Sequence, residues 1–233
     1  MVSLNPILAE ENTMKAFQLF KQNVHNAIQQ GKDIDYRSFY NSLISFGDRF
    51  ELQEQRHIMN CSIANFAENL ASQKQYDLAS IIYGILIKSN WNNSYLLEQF
   101  GLKGLAIAKK LNDPIHIMAR ADNLNQLYRA TEYGSKKHLQ ALVEEEKALK
   151  TIVSNYDLAR KNYKTIFREP LPFEHYEFML CGIKMEIAKI NIDSNPLLAI
   201  NKLEEAQDII SKYGYGTITQ RIQALLDKAY SIL

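Results

Sequence analysis

Polar side chains one helical turn apart are the features of this 233-residue chain most able to do chemistry. Asn65 with Glu68, and Asn123 with Gln126 and Arg129, repeat at intervals of three, so each set falls on one side of a helix. Asparagine offers both a donor and an acceptor, so such a row can bracket a peptide unit of a bound segment. The same positions also serve as ordinary solvent-facing sites of amphipathic helices. His57 and Cys61 are likewise one turn apart, as two metal ligands would be. Zinc needs two more ligands, and neither His-Glu-x-x-His nor Cys-x-x-Cys occurs, so no metal and no cofactor are expected. Glu144-Glu145-Glu146 reads as a solvated helix face, lacking the burial that tunes a catalytic acid. No serine stands in a nucleophile elbow, and Gly101-Leu102-Lys103-Gly104 lies inside a helical pattern rather than in a phosphate loop. The chemistry expected is binding, not catalysis.

The elements that would carry these residues read as helices throughout. Hydrophobic residues at 46% and charged residues at 23% are those of a globular protein, and the 9 glycines and 5 prolines are too few for the turns of an all-β chain. Apolar periodicity places helices over about 6–30, 33–47, 52–72, 76–87, 95–111, 114–131, 136–166, 174–190, 196–213 and 217–233. Asp113-Pro114 and Asn195-Pro196 each combine a capping side chain with proline at the first helical position. Gly31, Gly47, Gly134 and Gly214 supply stops. Ile81-Ile82-Tyr83-Gly84-Ile85-Leu86-Ile87 has strand-like composition, but a lone strand leaves its backbone groups unpaired, so it is expected to be a buried helix. Cys61 and Cys181 lie far apart in apolar segments and read as small buried hydrophobes.

Lysine plus arginine (27) nearly cancels aspartate plus glutamate (26), which disfavours nucleic acid as a partner. No apolar run approaches membrane-spanning length, and the N-terminus lacks the pattern of a secretory signal. A cytoplasmic protein is expected.

Ile63, Phe66-Ala67, Leu70, Tyr76, Ala79, Tyr83 and Leu86 have the spacing of large and small residues found in tetratricopeptide (TPR) repeats, and the chain resembles that family. Gly104 to Asp113 followed by Asn123 to Tyr128 looks like repeats of bacterial TPR regulators, the peptide-sensing Rap-like group among them. Pro196, Ala199, Leu203, Ala206 and Ile210 are similar to the second helix of a repeat. The resemblance implies an all-α, TPR-like α-solenoid of about ten antiparallel helices. It would comprise an N-terminal helical pair (1–50), TPR-like repeats (51–169), and a C-terminal repeat with a capping helix (170–233). It further implies a non-enzymatic adaptor that holds a protein or peptide in a groove, with Asn65, Glu68, Asn123, Gln126 and Arg129 as binding residues. A peptide-sensing regulator and an enzyme with an unfamiliar helical site are the alternatives. Cys61 and Ala64 stand where a carboxylate-clamp TPR carries its polar clamp residues, so that specificity is not implied.

Overall fold

The computed structural model describes residues 6–30, 53–162 and 171–233. Among them the chain is all-helical, without a strand: α1 (Pro6–Gln30), α2 (Gln53–Ser72), α3 (Tyr76–Ser89), α4 (Ser94–Leu111), α5 (Pro114–Thr131), α6 (Lys136–Ser154), α7 (Tyr156–Asn162), α8 (Phe173–Asn191), α9 (Pro196–Ser211) and α10 (Gly216–Tyr230). The helix expected over 33–47 lies outside the described residues. None of the described helices is long and apolar enough to cross a membrane.

Local chemistry sets the helix ends. Asp113 accepts from the Ile115 amide at 2.8 Å and the His116 amide at 3.3 Å, ahead of Pro114 at the first position of α5. Ser135 caps α6 through the His138 amide, and Asn195 caps α9 through the Leu198 amide. The helix expected to run unbroken from 136 to 166 instead stops at Ser154 and restarts at Tyr156. Thr151 carbonyl accepts from both the Ser154 hydroxyl and the Asn155 amide, and Asn155 carbonyl then accepts from the Ala159 amide to start α7. Short polar side chains that bond to the local backbone in this way compete with helix continuation.

The chain divides into two compact units within α4, between Phe100 and Gly101. The divisions expected at 50/51 and 169/170 fall outside the described residues.

In the first unit α2 packs on α3, and Ile81 to Ile87 is indeed a buried helix: only Gly84 in the run is not fully buried. Phe66 meets Phe17 and Phe20 of α1 edge-to-face, with centroids 6.1 and 6.0 Å apart. Asn60 and Asn90 exchange buried amide hydrogen bonds of 2.7 and 3.2 Å, tying α2 to the end of α3. Ala67 and Ala79 are completely buried.

In the second unit α5 packs on α6, α6 on α8, α8 on α9 and α9 on α10. Ile115, Leu142, Leu149, Ile152 and Leu180 fill the space among α5, α6 and α8. Met185, Leu203, Ile210, Ile222 and Leu226 fill that among α8, α9 and α10.

Several large apolar residues within the helices point outward. Leu19, Ile58 and Val143 are exposed while their neighbours Phe20, Met59 and Leu142 are half-buried or buried. A helix turns about 100° per residue, so two adjacent apolar side chains cannot both face a narrow contact. Cys61 is exposed for the same reason, one position beyond the buried Asn60; Cys181 is buried.

Candidate functional site

Helix α5 is buried along Ile115, Met118, Ala121, Leu124, Leu127 and Tyr128. That leaves Asp122, Asn125, Gln126 and Arg129 on a different side, along one wall of a groove in the second unit, open to solvent and about 880 Å³ in volume. Helix α8 supplies the facing wall, including Met179, Ile183, Glu186 and Lys189, and α10 adds Ile218 and Arg221. Glu145 of α6 also lines the groove. Its volume lies within the roughly 300–1,000 Å³ of small-ligand sites.

The expected binding residues do not all converge here. Gln126 and Arg129 line the groove; Asn123 does not, and it is half-buried where its side-chain oxygen accepts from Arg120 Nη1 at 3.2 Å. Asn65 and Glu68 are exposed on α2 in the other unit, and the Tyr83 hydroxyl donates to Glu68 at 3.4 Å.

Behind the α5 wall lies a one-directional chain of buried hydrogen bonds. Gly134, at φ +76°, holds a left-handed conformation in the turn between α5 and α6, and its N–H donates to His138 Nδ1 at 3.1 Å. With Nδ1 accepting, the His138 proton sits on Nε2 and is given to Asn125 Oδ1 at 3.0 Å. Asn125 Nδ2 then donates to Glu145 Oε2 at 2.9 Å. Burial lowers the His138 pKa below its usual value, which matches this neutral tautomer. Burial, with a contribution from the Asp122 charge, pushes the Glu145 carboxyl up to about 8, against the opposing Asn125 bond. Asp122 is also raised by burial, although Gln126 Nε2 donates to both of its oxygens at 2.9 and 2.8 Å. Across the groove Glu186 pairs with Lys189 at 3.2 Å and, more loosely, with Arg129 at 3.8 Å.

The three glutamates therefore have separate roles, and the expected solvated run is corrected. Glu144 pairs with Lys109 at 2.7 Å. Glu145 is 1% exposed, at the groove. Glu146 is also buried, and it binds Lys150, Lys202 and Lys184 at 3.0, 2.7 and 3.1 Å. Lys184 in turn bonds Glu205. This lattice joins α6, α8 and α9, and its lysines hold the Glu146 carboxyl at about 2 despite burial.

Of the groove residues only Gln126 and Arg129 were expected at a site, and Asn125, Glu145 and Gly182 are among those that were not. Asn125 and Glu145 sit on apolar stripes, four positions after Ala121 and three after Leu142, and that placement was the available signal. Gly182, the third, is exposed in the middle of α8; a Cβ added there would meet nothing within 4 Å.

His57 Nε2 lies 3.6 Å from Cys61 Sγ on the exposed side of α2, and no three His, Cys, Asp or Glu side chains among the described residues are grouped to hold a metal ion. Comparison with protein-family models, with curated proteins and with solved structures finds no match.

Proposed function

We propose that the chain is a non-enzymatic helical-repeat adaptor of TPR-like architecture, whose groove among α5, α8 and α10 holds a peptide segment of a partner protein. On this reading α5/α6 and α8/α9 are successive repeats and α10 is the cap. Support comes from the packing of each helix on its neighbours and from the lining of the groove mainly by α5, α8 and α10, with Glu145 alone from α6, much as the first helices of stacked pairs would line it. The observation that carries the proposal is Gly182. An exposed glycine inside a helix costs about 0.5–1 kcal/mol relative to alanine, and no described residue comes within 4 Å of a Cβ added at Gly182. Close approach of a ligand to the α8 backbone accounts for both facts.

Capture of partners from a native extract, read by mass spectrometry, tests the class: a stoichiometric protein fits an adaptor. The paired change Gln126→Ala and Arg129→Ala then tests the place. Both side chains are exposed, so stability should move by under about 0.5 kcal/mol each. Binding should weaken by about 1 kcal/mol or more for each lost hydrogen bond. An unchanged Kd would move the site elsewhere.

One observation favours a second reading. A carboxyl tuned to about 8 beside a groove is suited to general acid catalysis. A captured small molecule consumed by the wild type but not by Glu145→Gln would favour an enzyme.

A further inference from the structure

We propose that the groove selects a partner segment bearing a basic side chain, whose cationic head is taken by the Glu145 carboxyl with Asp122 on the same side; this rests on the reading of the groove as a peptide site. The charges already present define what is missing. Of the groove's cations, Arg129 and Lys189 both pair with Glu186 on the α5 and α8 walls, and Arg221 stands on α10. Asp122 is bonded only by the neutral amide of Gln126, and Glu145 only by the neutral amide of Asn125. Neither carboxyl has a cationic group of another described residue within 4 Å, although the buried Arg120 guanidinium is near enough to Asp122 to oppose in part the upward shift that burial gives it. A ligand ammonium or guanidinium supplies the absent charge, whereas a ligand carboxylate would meet two acids.

Glu145 is also built as a receptor. The succession from the Gly134 amide through His138 and Asn125 fixes the Asn125 amide with its donors toward Oε2, which orients the carboxyl. Only Oε2 is committed, and the side chain lines the groove, leaving Oε1 for a ligand. A guanidinium or ammonium bonded to a carboxylate forms the stronger, charge-assisted hydrogen bond.

Ionisation couples to this binding. The charged groups sharing the groove with Glu145 are Asp122 and Arg129 from α5, Glu186 and Lys189 from α8, and Arg221 from α10; His138 reaches it through Asn125. Free Glu145 holds its proton up to about pH 8, so taking up a cation releases that proton. Affinity for a basic segment then rises with pH up to that point and levels off beyond it.

The test uses two pools of end-blocked pentapeptides, random except for a central arginine in one and a central citrulline, its uncharged near-isostere, in the other. Equilibrium dialysis against the whole protein, read by mass spectrometry, should show at least about tenfold preference for the arginine pool at pH 8.5. The preference should shrink toward unity at pH 6. It should vanish at both pH values in Glu145→Gln, whose amide oxygen still accepts from Asn125, and weaken in Asp122→Asn, which leaves the buried succession intact. Both variants are checked for wild-type circular dichroism. Equal binding of the two pools by the wild type overturns the charge selection and leaves the peptide groove standing. A preference that survives in Glu145→Gln with native dichroism also overturns it, placing the cation elsewhere. Binding of neither pool overturns this inference and the peptide reading together.

Discussion

Ionising Glu145 opposes folding, because its carboxyl is held at about 8 in the folded chain against an ordinary 4.5. The folded state binds more protons than the unfolded one between those values, so this group's contribution to stability falls as pH rises through that window. The slope for one proton reaches about 1.4 kcal/mol per pH unit. Glutamine at 145 cannot ionise. Glu145→Gln should therefore melt close to wild type at pH 5 and above it at pH 8.5, and thermal melts at the two pH values check this. A constant difference across pH would place the carboxyl in solvent. His138 works in the opposite sense: its folded pKa is depressed by burial, so its contribution is present at higher pH and is lost as pH falls below about 6.5. Gln126 and Arg129 were legible as groove residues because exposed polar side chains one turn apart are visible in the sequence. Glu145 was hidden by its neighbours. Read as a block, Glu144 to Glu146 is a charge run; read singly, Glu145 continues the stripe His138, Leu142, Leu149 and Ile152.

Two glycines in helix interiors make opposite predictions at the scale of the element. A Cβ at Gly101 of α4 would stand 2.7 Å from Leu124 Cδ2 and 3.1 Å from Cγ, and Leu124 is buried and confined. Gly101→Ala should cost about 1–3 kcal/mol through overpacking. Gly182→Ala should instead gain about 0.5–1 kcal/mol, since the added methyl meets nothing and the helix is favoured. Denaturant melts of both variants check the signs. Ala79, completely buried in α3, gives a third outcome. Ala79→Arg would overpack its site and bury an unpaired charge, costing about 3 kcal/mol or more, and a melting temperature equal to wild type would contradict the burial. Helix starts were legible wherever a capping side chain precedes proline, as at Asp113 and Asn195. The break after Ser154 was not, because the apolar period passes through Val153, Tyr156 and Ala159 and the interruption rests on local hydrogen bonds of weak sequence signature.

The all-helical class could be read from the whole chain, because scarce glycine and proline and a sustained helical period leave no place for a sheet. Which helices pair could not, since pairing depends on how two faces meet and a periodicity describes one face at a time. The division within α4 illustrates this: Leu97, Phe100, Gly104 and Ile107 keep an unbroken helical spacing across Phe100 and Gly101. On the proposed reading a partner segment lies against α8 in the groove. Gly182→Leu projects a side chain into the groove from a position where an added Cβ meets nothing within 4 Å. Calorimetric titration of the captured partner into wild type and Gly182→Leu measures whether that space is needed for binding. Binding should be at least about tenfold weaker in a variant whose melting temperature is equal or higher; an unchanged Kd would show that no partner segment lies against α8.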